Sequence, residues 1–215
     1  MTNTLVLDVD GTLVDTNYHH AVAWFRAFRR FDITVPTWRL HRAIGMGGDK
    51  LVAAVAGDHV ERERGDDLRQ AWEAAFEPML AEIRPLEGAH RLVAAALEQD
   101  FAVVLASSGK RHHVDHYLKL IDAVGLPSTS SDDVEETKPA PDLVEVALRK
   151  VDGGGRAVVI GDSVWDCDAA RRAGLPVVCL RTGGFGEAEL REHGASAVYE
   201  ELDRLRADLT DLPMA

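Results

Sequence analysis

The chain has 215 residues, 46% hydrophobic and 28% charged, enough to bury a sizeable core and ordinary for a folded soluble protein. Asp and Glu number 36 against 24 Lys and Arg, a net charge of −12, so the overall field repels nucleic acid and anionic membrane. Cys167 and Cys179 make no disulfide framework, the apolar runs are too short to cross a bilayer, and Met1-Thr2-Asn3 leads directly into the first strand; the expected location is the cytoplasm.

Thr4-Leu5-Val6-Leu7 is apolar and β-prone with no alternation, the pattern of a strand buried on both faces. Asp8-Val9-Asp10-Gly11-Thr12 follows, with Gly11 freeing the backbone to turn. Two acids thus project from the carboxyl end of a core strand, where open α/β sheets place their ligands. The plain alternative is an acidic turn. A calcium loop would need a Glu at its twelfth position, and counting from Asp8 that position is His19.

From Tyr18 to Phe31 apolar residues recur at helical spacing. Pro36 opens a region to about Arg84 that is rich in Ala, Leu, Glu and Arg and has no convincing strand. Leu51 to Ala56 and Leu68 to Ile83 read as helices there, with Gly65-Asp66-Asp67 as a break and N-cap signal. After Pro85-Leu86-Glu87-Gly88 strands alternate with helices. Gly88 to Gln99 is amphipathic, Phe101 to Ala106 is a buried strand, and Ser107-Ser108-Gly109 leads to a helix from His112 to Leu120. Pro127 to Ser131 is a weak strand and Pro141 to Val151 a helix broken by Gly153-Gly154-Gly155. Ala157 to Ile160 is a strong strand ending in Gly161-Asp162. A helix through Ala169, Ala170 and Ala173 stops at Gly174. Pro176 to Leu180 and Ala195 to Tyr199 supply two more strands. This order predicts an α/β fold, a parallel sheet with crossover helices, and a helical insertion between about 16 and 84.

In a parallel sheet the polar clusters at the strand ends share one edge, so Asp8 and Asp10, Ser107 and Ser108, and Asp162 and Asp166 can converge there with Lys138. At an effective dielectric of about 20, each like-charge pair about 4 Å apart costs roughly 4 kcal/mol. Either some acids stay protonated or a cation sits among them, and hard oxygen ligands with room for water and substrate point to Mg²⁺. With a phosphate ester each part has a use. One Asp attacks phosphorus and a second protonates the leaving oxygen. Ser107, nearby backbone N–H groups and Lys138 hold the equatorial oxygens.

Asp8-Val9-Asp10-Gly11-Thr12, the apolar run into Ser107-Ser108-Gly109, Lys138-Pro139-Ala140-Pro141 and Gly161-Asp162-Ser163-Val164-Trp165-Asp166 stand in the order of the haloacid dehalogenase superfamily motifs. Ala169-Ala170 and Ala173-Gly174 extend the match, and essentially the whole chain resembles the phosphatase branch with a helical cap, close to phosphoglycolate phosphatases and β-phosphoglucomutases. The resemblance implies a Rossmann-like core over residues 1–15 and 85–215 and a helical cap over 16–84. It implies Asp8 as nucleophile and Asp10 as acid/base. Mg²⁺ would be held by Asp8, the Asp10 carbonyl, Asp162 and Asp166, with Ser107, Ser108, Gly109 and Lys138 gripping the phosphoryl group. The expected reaction is Mg²⁺-dependent hydrolysis of a small phosphorylated metabolite through an aspartyl phosphate, by a monomer or homodimer without nucleic-acid or membrane partners.

Asp10 separates the branches, since haloalkanoate dehalogenases lack a second Asp and phosphonate hydrolases carry a small residue there. A phosphosugar mutase uses the same Asp pair, and a catalytically silent binding protein keeps the fold. Met46-Gly47-Gly48-Asp49-Lys50 looks like the stretch in which phosphonoacetaldehyde hydrolase carries its Schiff-base lysine; a plain Gly-rich loop with a solvated Lys50 explains it equally. Arg39, Arg42 and Lys50 are expected to reach the site and read an anionic substrate tail. His112, His113 and His116 read as a solvated helix face rather than a metal site. Trp24, Phe25 and Phe28 read as packing between core and cap, and Trp72 and Phe76 as cap core. Trp165 either packs or narrows access, and Arg181-Thr182-Gly183-Gly184 is a turn with a possible ligand contact.

Overall fold

The computed structural model describes residues 2–151 and 155–215, and β1 (Thr4–Leu7), wholly buried, lies at its centre. The other strands are β2 (Ala102–Ala106), β3 (Ser128–Thr129), β4 (Ala157–Gly161), β5 (Val177–Leu180) and β6 (Ala195–Tyr199). They form one parallel sheet in the order β3-β2-β1-β4-β5-β6, so the winding reverses between β1 and β4. Leu7 pairs with Leu105 on one side and Ile160 on the other. That register sets the residues after each strand, Asp8, Ser107 and Asp162, along one edge.

Successive side chains of β1 leave by opposite faces, and each face has its own helical layer. Leu5, Leu7, Leu105 and Ile160 meet Leu92, Val114 and Leu205 of α5 (Ala89–Glu98), α6 (Arg111–Leu120) and α10 (Leu202–Ala207). Val6, Val104 and Val159 meet Val144, Ala170 and Leu190 of α7 (Asp142–Arg149), α8 (Val164–Arg172) and α9 (Glu187–Glu192). A run with no alternation is therefore what a strand covered on both sides requires.

Between β1 and α5 lie α1 (Asn17–Arg30), α2 (Thr37–Ala43), α3 (Gly48–Ala56), α4 (Asp58–Phe76) and a 3₁₀ turn, Glu77–Glu82. Trp24, Phe28, Leu40, Leu51, Val52 and Leu68 form a separate hydrophobic cluster there. The chain enters and leaves this layer side by side: Asp15 N–H donates to Arg84 O at 3.0 Å and Leu86 N–H to Leu13 O at 2.9 Å.

Three expectations need correction. Gly65-Asp66-Asp67 does not break a helix, because α4 runs through it without interruption. Buried Gly65, Leu68, Ala71 and Phe76 keep one continuous face. Asp66 and Asp67 pair with Arg69 and Arg64 one turn away, at 2.8 and 3.3 Å. The aromatic assignment is largely reversed: Trp24 and Phe28 belong to the helical cluster, while Phe76 joins the sheet-side cluster and Trp72 touches both. His113 is fully buried rather than solvated, its ring 4.9 Å from that of Phe76. The short helices α2, α9 and α10 have no counterpart among the sequence expectations. Gly153 and Gly154, expected to end a helix, lie outside the described residues. No described helix is long and apolar enough to cross a membrane.

Candidate active site

β1 ends by passing its ladder on: Asp8 N–H donates to Ile160 O at 2.8 Å, which holds the Asp8 carboxylate at the sheet edge. The chain then turns back within five residues, with Gly11 N–H bonded to Val14 O at 2.8 Å and Gly11 at φ +79°. A side chain on Gly11 would collide with Asn17 and Asp162, so the turn needs glycine twice over.

Across β1 and β4, four ionisable side chains meet out of water: Asp162 and Asp166 are each 1% exposed, Lys138 2% and Asp8 5%. Lys138 Nζ donates to Asp8 Oδ1 and to Ala106 O (3.2 Å) and lies 2.7 Å from Asp166 Oδ1. Thr12 Oγ1 donates to Asp8 Oδ2 at 2.8 Å and lies 3.2 Å from Asp162 Oδ1, and Asn17 Nδ2 donates to Asp162 Oδ2 at 2.9 Å. Asp166 is held by the start of α8, where Ser163 caps the helix: Ser163 N–H (3.1 Å) and Oγ (2.5 Å) both donate to Asp166 Oδ2. A methyl group on Gly183 would overlap the Asp162 carboxylate, which explains a glycine in the turn after β5.

Asp10 points into a different set of donors. His20 Nε2 lies 3.0 Å from Oδ1, Thr16 Oγ1 donates to Oδ1 at 3.0 Å, and Ser107 Oγ to Oδ2 at 2.7 Å. The His20 ring is fixed in turn by stacking on Phe76, 4.1 Å between centroids.

These surroundings push the acids apart. Burial, offset in part by Lys138 and reinforced by Asp166 and Asp10, raises Asp8 to about 7. Burial acts in the same sense on Asp10, but hydrogen bonds from His20, Ser107 and Thr16 outweigh it and hold the carboxyl at about 2. Burial first, then Asp8 and Asp166, raise Asp162 well above the carboxylate range. Burial works against the Lys138 ammonium, yet Asp166 and Asp8 outweigh it and keep the group charged.

One ammonium faces three carboxylates, and ligand oxygens of Asp8, Asp162 and Asp166 lie within 4.8 Å of one another. Asp166 Oδ1 is buried, with the Lys138 ammonium 2.7 Å away as its partner. Surplus negative charge and all-oxygen donors fit a hard divalent cation.

A cleft of ≈ 510 Å³, its mouth included, opens over this edge. Asp8, Asp10, His20, Ser108 and Gly109 line it together with Trp24, Trp72 and the Ile44–Gly48 segment. Ser108 Oγ donates across to Gly45 O at 3.3 Å, and Gly109 N–H donates to Ser107 Oγ at 2.9 Å. The structure thus brings together Asp8, Asp10, Ser107, Lys138, Asp162 and Asp166, with Ser108 and Gly109 beside them.

It does not bring Arg39, Arg42 or Lys50 to the cleft. Arg42 pairs with Glu189 and lies 4.0 Å over the Phe185 ring, Lys50 pairs with Glu136 at 3.2 Å, and Arg39 reaches Ala54 O. Each of the three is engaged outside the cleft, Arg42 and Lys50 by acids on distant segments of the chain. Lys50 is likewise not placed for a Schiff base in the cleft. Trp165 packs: its Nε1–H donates to Arg42 O at 3.1 Å, joining α8 to α2. His41 Nε2 lies 2.9 Å from Gly183 O at the same junction. Thr12, Thr16, Asn17 and His20 were not anticipated. His20 carried a signal, a polar residue four before Trp24 on the apolar face of α1, but nothing local names its partner.

A family model described as haloacid dehalogenase-like hydrolase matches residues 2–174. A solved hydrolase from Pseudomonas syringae shares 31% identity and superposes with a TM-score of 0.92 over 99% of both chains. A phosphoglycolate phosphatase from Mesorhizobium japonicum is 25% identical over 96% of this chain and 94% of its own. A validoxylamine A 7′-phosphate phosphatase from Streptomyces hygroscopicus subsp. limoneus is 27% identical over 99% of this chain and 96% of its own.

Proposed function

Because this chain belongs to the haloacid dehalogenase-like hydrolase family, we propose that it is a phosphatase of small phosphate monoesters, working through an aspartyl phosphate on Asp8. The relatives named as phosphatases support that class of reaction. The observation that carries it is the buried meeting of Asp8, Lys138, Asp162 and Asp166 beside Asp10.

Residues 16–84 act as a helical cap over a core of 1–15 and 85–215. Asp8, Asp162 and Asp166, with the Asp10 main-chain carbonyl, hold the cation, most naturally Mg²⁺, which when bound draws charge from the carboxylates and the phosphoryl oxygens. Lys138, Ser107, Ser108 and Gly109 surround the phosphoryl group and stabilise its equatorial oxygens.

The Asp8 carboxylate attacks phosphorus while the P–O bond to the alcohol breaks, and protonated Asp10 passes its proton to the departing oxygen. Water then attacks phosphorus, Asp10 takes one of its protons, and orthophosphate leaves as the Asp8 carboxylate is restored. The hydrogen bonds from His20, Ser107 and Thr16 favour the ionised Asp10 that the second half needs. An arriving phosphate dianion favours the protonated form that the first half needs.

Asp8→Asn removes the nucleophilic oxygen while nearly preserving shape. Phosphate release from a panel of esters, with and without Mg²⁺, should fall to background in this variant while its melting transition remains cooperative. Wild-type turnover by Asp8→Asn would falsify the assignment.

A further inference from the structure

Among the described residues no Lys or Arg lines the cleft, and its one basic side chain, His20, is committed to Asp10. The cations around the rim are already matched by acids: Arg69 by Glu61 (2.9 Å) and Asp66 (2.8 Å), Lys110 by Glu73 (2.6 Å), Lys50 by Glu136 and Arg42 by Glu189. Asp8 and Asp10 face into the same space. A substrate already brings one phosphoryl anion, for which Lys138 and the carboxylate cluster are arranged. A second anionic group on the alcohol part would be stripped of water against like charges with no counter-charge to meet it.

The rest of the cleft lining is built for something else. Trp24 and Trp72 stack with centroids 5.5 Å apart and an interplanar angle of 20°, and Ile44 and Met46 extend the apolar surface. An apolar, aromatic surface suits a ring that offers C–H faces but no charge.

We propose that the preferred substrates are phosphate monoesters of uncharged, ring-bearing alcohols, of sugar or cyclitol type, and that esters carrying a second anion are excluded. This rests on the phosphatase reading above and narrows it: phosphoglycolate, which carries a carboxylate, and sugar bisphosphates, which a mutase requires, both fall outside.

The test compares kcat/KM for a hexose monophosphate, 2-phosphoglycolate and a hexose bisphosphate at fixed Mg²⁺, with Asp8→Asn as background. The hexose monophosphate should exceed both others at least tenfold. Met46→Lys, which places an ammonium in the cleft, should raise kcat/KM for 2-phosphoglycolate relative to the hexose monophosphate at least tenfold. Phosphoglycolate or bisphosphate turned over as well as the neutral ester, with Asp8→Asn inactive, overturns this inference and leaves the phosphatase reading intact. So does a Met46→Lys variant that folds and shows the wild-type ratio. No phosphate above background from any ester overturns both.

Discussion

Asp8 and Asp10 are separated by one residue and are both buried, yet one is driven up to about 7 and the other down to about 2. The difference lies in donors. Asp8 shares a single ammonium with Asp166 and stands near further carboxylates, whereas Asp10 has three donors and no competitor for them. The proposed attack needs the reverse order, an ionised Asp8 and a protonated Asp10, so a bound cation at Asp8 and an arriving phosphate beside Asp10 have to invert this resting state. Asp10→Asn keeps the hydrogen-bond acceptor but removes the transferable proton, so kcat should fall by roughly 10²–10⁴-fold for esters of poorly leaving alcohols. The loss should shrink for a nitrophenyl ester, whose leaving oxygen needs no proton. An equal loss for both esters would count against Asp10 as the acid.

At the level of elements, the start of α8 has two tasks in one capping box. Ser163 and Asp166 satisfy the free backbone donors of the first turn, and the same bonds aim the Asp166 carboxylate at Asp8 and Lys138. Trp165, on the next helical position, ties that turn to α2. Ser163→Ala should therefore destabilise the fold by about 1 kcal/mol, the usual size of a lost N-cap, and also weaken cation binding. Urea denaturation with and without Mg²⁺ separates the two: the variant should gain less stability from Mg²⁺ than wild type does. An identical gain would show that the cap supports the helix alone.

For the molecule as a whole, gathering three acids around one ammonium links folding to protons and cations. Between the unfolded value of 3.8 and the folded value of about 7, Asp8 binds a proton in the folded state that the unfolded state has released. Its contribution is thus fully present below pH 3.8 and lost as pH rises to about 7, and Asp162 acts in the same direction. Asp10 has the opposite sign, contributing above 3.8 and losing that contribution as pH falls through about 2. Freed of metal with a chelator, the protein should lose stability between pH 4 and 7. Because protons compete with metal for the carboxylates, Mg²⁺ should raise Tm more at pH 7.5 than at pH 5. Equal Mg²⁺ shifts at both values, by scanning calorimetry, would remove the cation from this cluster.

What the amino-acid order determined by itself was whatever depends on neighbours in the chain. The unalternated runs Thr4–Leu7 and Ala157–Ile160 read as strands covered on both faces, and acids directly after them as standing at a sheet edge. Local periodicity also marked α1, α5 and α8. It misread Gly65-Asp66-Asp67, because that signal is cancelled by ion pairs with Arg64 and Arg69 and by the buried face that α4 keeps. Partner choice was decided only in three dimensions. Arg42 and Lys50, expected at the site, pair instead with Glu189 and Glu136, so among the described residues neither lines the cleft. His20 reached Asp10, and Asn17 and Gly183 reached Asp162, because α1 and the turn after β5 both meet the sheet edge. Hydrophobic pattern is a one-dimensional property and survives in the sequence. The pairing of long polar side chains depends on every competitor within reach, and those competitors are assembled only by the fold.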